Sequence, residues 1–483
     1  MVRALALLLI ALSPVLSAAQ AVQAAQPRPL VFTHATVIEM TGAKPKPDMT
    51  LVIVGDHIAA VGRTGKVRVP RGAQVVNAAG RYLIPGLWDM HVHLGDGDFD
   101  KNFYLRLFVA NGVTGIRIME GAPEYQSWRR EAEGGALLAP RMVIASPMIG
   151  FGDLSNISEA RAREEVRKAK QAGADFIKVH DNLSRAAYFA VIEEAKRLGL
   201  PVEGHTPVSV TAEEVSEAGQ KSIEHLTGLA PAEADAATAA RWFALFKKNQ
   251  TWQCPTLIMR HNYALLDDSS LAADPRLKYV KPSWRARWLR MTKEAESWPA
   301  DEGARRRETI RKDDALVAEM QRAGVGILAG TDDANPYVIP GFGLHDELAL
   351  LVKAGLTPLE ALRAATLNPA KFFGLSASLG TVERGKLADL LLLDANPLED
   401  ISNTKKIAAV VAGGRYLPRE SLDKILAEVE AAANRSSSRG KGALEGDAGG
   451  AASVRRQRVR PPSVRRHHPR ATRASVPLFN AGA

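Results

Sequence analysis

The feature that most constrains this chain is a long alternation of short apolar runs with amphipathic stretches through its middle. Each apolar run has the length and composition of a buried strand, and helical periodicity lies between several of them, at 158–171, 185–198 and 313–323. Strands that alternate with helices form parallel sheets, because each helix returns the chain to the same sheet edge. The predicted strands are 83–92, 113–118, 142–145, 176–179, 202–204, 222–224, 251–255 and 325–329.

Eight such repeats predict an α/β fold, a closed parallel (β/α)8 TIM barrel over residues 83–385. An open doubly wound sheet would give the same alternation. It normally carries a glycine-rich phosphate loop after an early strand, however, and no GxGxxG motif occurs. The stretch at about 260–312 is longer than a normal connection, so it predicts a helical insertion near the barrel mouth.

Short strand-like runs, separated by glycine, proline and aspartate, fill residues 28–82 and return at 386–418. Because these β-segments lie on both sides of the α/β middle, they predict a small β-sandwich domain built from both chain ends.

The first residues have the pattern of an export signal. Arg3, the apolar residues 4–12 and the small residues that follow predict a signal peptide at 1–24. The apolar run is too short to span a bilayer as a helix, and no later stretch has the required length and apolarity. We therefore expect an exported protein, periplasmic in a diderm bacterium, with no membrane partner after cleavage.

The net charge of +10 is concentrated at the other end of the chain. Eleven basic and two acidic residues lie from Arg435 onward, so about nine of these positive charges belong to this stretch. Residues 435–483 lack hydrophobic periodicity and are predicted to form a disordered basic tail. The remainder is nearly neutral, so we expect no nucleic-acid partner. The single cysteine, Cys254, excludes an intrachain disulfide.

Ligand-type side chains follow the first predicted strand. In Asp89-Met90-His91-Val92-His93 the two imidazoles point to the same side, because side chains along a strand alternate with a period of two. Asp89 shares that face one step deeper, where it is suited to orient an imidazole.

Similar residues end later strands: His205 the fifth, His225 the sixth and Asp332 the eighth. The carboxyl ends of barrel strands meet on the face where active sites of such barrels lie. We therefore expect these side chains to converge with His91 and His93.

Lys178 ends the fourth predicted strand. An ordinary lysine there would be an ion-pair partner or a surface residue. Carbamylated by carbon dioxide, the same side chain becomes a carboxylate that is able to bridge two metals. His180 shares its face, either as an additional polar contact or as a plain loop residue.

With these residues the chain resembles the amidohydrolase superfamily, in particular its imidazolonepropionase-like and prolidase-like metal-dependent hydrolases. The resemblance covers about residues 28–430. The matching runs are PGLWDMHVH at 85–93, FIK at 176–178, GHT at 204–206, IEH at 223–225, AGTD at 329–332 and GTVERGKLADL at 380–390.

The resemblance implies a ligand set for one or two divalent metal ions. His91, His93 and Asp332 would hold the first, His205 and His225 the second, and Lys178 as a carbamate would bridge them. Nitrogen and oxygen ligands suit Zn²⁺ best, with manganese, cobalt or iron as alternatives. Some relatives hold one metal, so the number depends on the modification of Lys178.

The resemblance also implies hydrolysis of an amide-type C–N bond in a small-molecule substrate: a cyclic amide, an N-acyl amino acid or a dipeptide. Asp332 would take the proton of the attacking water and pass it to the leaving amine. The same site could instead cleave a lactone, ester or phosphotriester, and a non-catalytic binding protein that retains the barrel is a further alternative. Members commonly form homo-oligomers, so such an assembly is a possible partner.

Substrate contacts are expected from loops after the strands. The candidates are His180, Tyr337 and His345, although a packing role for His345 is equally compatible with the sequence. The apolar character of Trp252, Leu257 and Tyr337 suggests a hydrophobic moiety in the substrate.

Overall fold

The computed structural model describes residues 28–95, 97–229, 235–299 and 301–444. The chain divides into two compact units, Met1–Ser437 and Ser438–Ala483, and only the helical backbone of 438–444 is described in the second. The predicted signal peptide at 1–24 lies outside the described residues, as does 445–483 of the predicted tail. The tail begins differently from the expectation: the last helix continues to Leu444, because it extends an alanine-rich segment of high helix propensity.

The strands, in chain order, are β1 (Leu30–Val37), β2 (Lys46–Val54), β3 (His57–Arg63), β4 (Gln74–Asn77), β5 (Tyr82–Pro85), β6 (Leu87–Val92), β7 (Val113–Ile118), β8 (Arg141–Ile144), β9 (Ile177–Val179), β10 (Val202–Gly204), β11 (Ser222–Glu224), β12 (Trp252–Cys254), β13 (Leu390–Leu393), β14 (Ile407–Ala412) and β15 (Arg415–Pro418). The α-helices are α1 (Leu105–Ala110), α2 (Tyr125–Glu133), α3 (Glu159–Gln171), α4 (Arg185–Leu198), α5 (Ala212–Glu217), α6 (Ala236–Asn249), α7 (Leu257–Ala264), α8 (Pro282–Ala295), α9 (Glu302–Ala323), α10 (Phe342–Ala354), α11 (Pro358–Ala364), α12 (Leu367–Phe372) and α13 (Arg419–Leu444).

Strands from both chain ends share one sheet. Its order is β15-β14-β13-β5-β1-β2-β3, and β4 pairs with β1 as a branch. The pairs are antiparallel except that β1 runs parallel to β4 and β5. Buried side chains such as Phe32, Leu51 and Leu392 form the core of this region. The sandwich arrangement of these strands stays a prediction.

The first predicted barrel strand, 83–92, is divided in the structure. β5 belongs to the sheet of the chain ends and β6 to a second sheet, with the switch at Gly86. A Cβ atom at Gly86 would lie 2.1 Å from Oγ1 of Thr114, so only glycine fits where the chain changes sheets.

The middle of the chain is an α/β unit with two parallel sheets. One has the order β6-β7-β8 and the other β12-β11-β10-β9. Single bridges join Ala145 to Phe176 and Gln253 to Ile327, and the amide of Met90 donates to the carbonyl of Ala329 at 2.9 Å.

The described residues do not form the continuous eight-stranded barrel that the sequence predicts. The eighth predicted strand, 325–329, has one bridge in place of a ladder. Gly326 lies within it, where an added Cβ would come 2.3 Å from the Trp252 ring, and Gly330 follows it. Glycine weakens strand pairing, which explains the missing ladder.

Helices connect these strands. Ser158 and Ser184 cap α3 and α4 by accepting hydrogen bonds from backbone amides. The predicted insertion at about 260–312 contains helical segments, among them α8, and α9 joins it without a break to the predicted helix 313–323. In the described part of the chain, no helix combines the length and the apolar content that crossing a bilayer requires.

Candidate metal centre

Three imidazoles surround the carboxylate of Asp332. Its Oδ1 atom lies 3.1 Å from Nε2 of His93 and 3.5 Å from Nε2 of His91, and its Oδ2 atom lies 3.7 Å from Nε2 of His225. The Nε2 atoms of His91 and His93 are 3.3 Å apart. The His205 ring lies 4.9 Å from the His225 ring, between centroids. The structure therefore brings together the histidines and the aspartate predicted from strand ends.

Unusual backbone conformations direct two of these side chains. His225 and Asp332 have φ angles of 58° and 56°, in the left-handed region that L-residues rarely occupy. At Gly330 an added Cβ would meet the Cβ of His91 at 2.8 Å, so glycine lets the turn before Asp332 approach that histidine. Such strain is typical of functional sites.

The outer nitrogens of the histidines are already engaged. Nδ1 of His91 donates to Oε2 of Glu224 at 2.8 Å, and Nδ1 of His205 donates to Oδ1 of Asp181 at 2.7 Å. Nδ1 of His225 lies 2.6 Å from Oγ1 of Thr256. That hydroxyl donates its one proton to the Pro255 carbonyl at 2.8 Å, so it accepts from the histidine.

These contacts fix the tautomers, and each Nε2 atom keeps a free lone pair. Lone pairs that converge around a carboxylate, with the far nitrogens held by oxygen acceptors, are the donor set of a divalent metal site. The residues present thus fit a metal ion. One compact group of ligand atoms comes from His91, His225 and Asp332.

A buried ion-pair network lies beneath the centre. Arg117 donates to Glu203 at 2.7 Å, to both carboxylate oxygens of Glu224 at 2.9 Å and to the Met90 carbonyl at 2.6 Å. The guanidinium balances the carboxylate that holds His91, which a buried charge requires.

Asp89 has a different role from the predicted one. Its Oδ1 accepts from the amides of His91 and Thr331, and its Oδ2 accepts from the Thr331 hydroxyl at 2.7 Å. The contact with an imidazole is made by Glu224 instead. Sequence reasoning missed that role, although a glutamate inside a buried strand has to be paired and was the available signal.

The electrostatics favour neutral imidazoles at three of the histidines but not at His93. Burial, together with nearby positive charges such as Lys178, lowers the pKa of His91, His205 and His225. For His93, burial lowers the pKa, but hydrogen bonds to Asp332 and Glu120 outweigh it and raise the pKa to about 9. Sequence reasoning also missed Glu120, whose Oε2 lies 3.6 Å from Nδ1 of His93.

Lys178 lies in β9 with 1% of its surface exposed. Burial lowers the pKa of its amine, while the charges of Glu224 and Asp332 act in the opposite direction. A surface position is therefore wrong for this lysine, and it lies within the electrostatic reach of the centre.

The three predicted substrate contacts lie in different surroundings. The His180 ring packs 3.9 Å from the His205 ring, between centroids, and burial lowers its pKa to about 2. His345 is bound at Nδ1 by Thr404 and at Nε2 by the Asn111 carbonyl, both at 2.9 Å. Because both ring nitrogens of His345 are engaged in the interior, this residue has a packing role.

The third of them, Tyr337, is buried with its hydroxyl 2.6 Å from Oγ1 of Thr292. Leu257 is fully buried as well, and Trp252 packs against Phe372. The apolar residues that sequence reasoning selected are thus engaged in packing. Two other apolar residues are exposed beside the histidines. Phe151 is 47% exposed and packs 4.9 Å from the His180 ring, and Val208, three residues after His205, is 76% exposed.

An α/β fold that presents histidines and an aspartate at the ends of parallel strands is the framework of a metal-dependent enzyme. The chain belongs to the amidohydrolase family, because the family model described as "Amidohydrolase family" matches residues 82–417. The resemblance found in the sequence is thereby confirmed.

Two curated relatives align along most of their length. The chain is 26% identical over 470 residues to ochratoxinase of Aspergillus niger, covering 81% of this chain and 89% of the relative. It is 26% identical over 439 residues to dihydroorotase of Pelotomaculum thermopropionicum, covering 80% and 93%. Among solved structures, bottromycin amidohydrolase matches with a TM-score of 0.68 and 24% identity, covering 85% of this chain and 91% of that one, and shares the fold. The protein is a metal-dependent hydrolase that acts on C–N bonds.

Proposed function

We propose that this enzyme hydrolyses an amide-type C–N bond in a small molecule: a cyclic amide, an N-acyl amino acid or a dipeptide. The observation that carries the proposal is the convergence of three Nε2 atoms on Asp332, with the outer nitrogens of His91 and His225 held by Glu224 and Thr256. The relatives support the proposal, because ochratoxinase and dihydroorotase are both hydrolases that act on C–N bonds.

In this proposal the metal is Zn²⁺, as one ion or two. His91, His93 and Asp332 would hold one ion, and His205 and His225 a second. When bound, such an ion lowers the pKa of water and polarises the substrate carbonyl. The chain orients three of these ligands: Glu224 holds His91, Asp181 holds His205 and Thr256 holds His225.

Asp332 is the proposed proton carrier. One of its oxygens lies near His91 and His93 and the other near His225, so the carboxylate is at the middle of the ligand group. From there it takes a proton from the attacking water and delivers it to the nitrogen of the leaving amine, whose C–N bond breaks.

Lys178 is the proposed bridging ligand, as a carbamate. Its amine attacks the carbon of CO₂, an N–C bond forms, a C=O electron pair moves to oxygen and one proton leaves the nitrogen. Because the ammonium first loses a proton to become the reacting amine, two protons leave in all, and an anionic group replaces a cation. The support is the burial of Lys178, which lowers the pKa of its amine and so favours the neutral form that reacts with CO₂.

We also propose that the substrate carries an apolar group. Phe151 is exposed and packs against the His180 ring, and Val208, three residues after His205, is exposed as well. Apolar side chains beside a few polar groups are typical of small-molecule sites. For the fold, we propose that the two parallel sheets and segment 325–329 together make up the (β/α)8 barrel of the family. The single bridges and the Met90–Ala329 hydrogen bond join them.

The test is a hydrolysis panel with Zn²⁺-loaded protein: N-acyl amino acids and dipeptides with apolar or charged side chains, cyclic amides, lactones, esters and phosphotriesters. The proposal is supported if the amides are turned over with a higher kcat/KM than the lactones, esters and phosphotriesters. Faster turnover of lactones or phosphotriesters would replace the substrate class while keeping the site. Stoichiometric metal without turnover of any of these compounds would contradict all of the proposed substrate classes.

A further inference from the structure

Helix α7 begins with an unusual cap. A threonine before a helix normally accepts a hydrogen bond from an amide of the first turn. Thr256 makes no such bond and has a φ angle of 48°, because its hydroxyl is turned to the Pro255 carbonyl and to Nδ1 of His225. The cap is supplied by Glu347 of α10, whose Oε2 accepts from the amide of Ile258 at 2.7 Å.

The same helix contacts the His225 backbone one turn later. NH1 of Arg260 donates to the His225 carbonyl at 2.9 Å, and its Nε donates to Asp313 of α9 at 2.8 Å. His225 is therefore held at its ring and at its carbonyl by residues spaced four apart, which is the spacing of neighbours on one helix face.

A third residue of this face reaches the loop of the other strained ligand. The Tyr263 hydroxyl donates to Oδ1 of Asn335 at 2.9 Å, and Nδ2 of Asn335 donates to the Asp332 carbonyl at 2.9 Å. Asn262 adds a bond from its Nδ2 to the Pro336 carbonyl at 3.1 Å.

The loop that these contacts hold contains three non-glycine residues in the left-handed region. The φ angles are 56° at Asp332, 71° at Ala334 and 60° at Tyr337. Each such residue is unfavourable and persists only where its surroundings enforce it. The Tyr337 end is bound by Thr292 of α8, so the helical insertion contacts this loop at Asn335, Pro336 and Tyr337.

We propose that α7 is a positioning helix, which sets His225 and Asp332 in register with each other through Thr256, Arg260 and Tyr263. The proposal rests on the proposed function only in treating His225 and Asp332 as parts of one centre. It assigns the start of the insertion a role in assembling the metal site.

The two ends of this face predict separable effects. Thr256→Val keeps the shape but leaves Nδ1 of His225 without an acceptor, so Zn²⁺ affinity, measured by competition with a chromophoric chelator, should fall roughly 10- to 100-fold. Thr256→Ser keeps the hydroxyl and should restore the affinity. Tyr263→Phe removes one hydroxyl, so it should keep Zn²⁺ but lower kcat about tenfold with little change in KM.

Matched controls separate positioning from general stability. The control for Thr256→Val is Thr114→Val, at a buried strand position whose hydroxyl has no partner. The control for Tyr263→Phe is Tyr416→Phe, in the sheet of the chain ends. Neither should alter Zn²⁺ affinity or kcat. The proposal is overturned if Thr256→Val binds Zn²⁺ like Thr256→Ser, or if Tyr263→Phe changes only the melting temperature. Absence of amide turnover by the unaltered, Zn²⁺-loaded protein would instead contradict the proposed function and leave the Zn²⁺ comparison of the Thr256 variants valid.

Discussion

Nδ1 of His91 lies 2.8 Å from Oε2 of Glu224, and neither side chain is exposed to solvent. The carboxylate is shared between a metal-ligand candidate and the buried guanidinium of Arg117. The centre is therefore tied to the interior of the α/β unit through one residue, so metal binding and folding stability are coupled at Glu224.

Glu224→Gln should weaken both properties. The amide is neutral, so Arg117 loses part of its compensation, and the unfolding free energy should fall by about 3 kcal/mol. Zn²⁺ affinity should fall roughly 10- to 100-fold, because the imidazole is less basic without its carboxylate partner. Urea unfolding and chelator competition measure the two effects. Glu164→Gln, at an exposed ion pair on α3, is the control and should change neither. Normal affinity in Glu224→Gln would contradict the coupling.

Asp332→Asn should separate metal binding from proton transfer. The amide oxygen remains a ligand but cannot accept the proton, so kcat should fall roughly 10²- to 10⁴-fold with a smaller change in KM. Metal content by elemental analysis and steady-state kinetics on the best amide substrate are the measurements. An unchanged kcat would remove Asp332 from the proton-transfer role.

Phe151→Ala tests the apolar side of the proposed substrate site. Removing the ring should raise KM about tenfold for amides with a large apolar side chain and leave those with a small side chain nearly unchanged. Leu375→Ala, at another exposed apolar residue, serves as the comparison. Equal effects on both kinds of amide would show that Phe151 does not select the substrate.

Glu347 gives the stability a defined pH dependence. Burial raises the pKa of this carboxyl from 4.5 to about 8. A carboxyl whose folded pKa is raised stabilises the fold fully below pH 4.5 or so, and this contribution is lost as the pH rises through about 8. Glu347→Gln stays neutral, so the unfolding free energy of the variant should decline less between pH 5 and 8. Urea titrations at several pH values, with exposed Glu217→Gln as control, test this. Parallel curves for the variant and the unaltered protein would contradict it.

The sequence predicted that side chains at strand ends converge, and the structure brings His91, His93 and His225 around Asp332, because the carboxyl ends of parallel strands meet on one face. Their role as metal ligands stays a prediction. The sequence predicted α4 at 185–198 from helical periodicity, and in the structure Ser184 and Gly199 mark both ends. It did not predict the change of sheet at Gly86, because the collision with Thr114 depends on two distant strands. Nor did it predict that Glu224, rather than Asp89, holds His91. Both are carboxylates next to histidines, and only the tertiary fold decides which of them reaches Nδ1.

Lys178 decides between one metal and two. Lys178→Ala removes the proposed carbamate, which would leave the second ion with two neutral imidazoles, so the Zn²⁺ content should fall and kcat should drop by orders of magnitude. We expect a small carboxylic acid such as acetate to enter the vacated space, so activity should recover in part, rising with acid concentration until it saturates. Lys178→Arg should be as inactive as the alanine variant, because a guanidinium can neither ligate a cation nor add CO₂ in this way.

Intact-mass analysis of the unaltered protein should detect the CO₂ added to Lys178 directly. An ordinary buried lysine gives the opposite pattern: arginine tolerated, no rescue by acid and unchanged metal content. That result would replace the two-metal centre with a single ion held by His91, His93, His205 and Asp332 or a similar set.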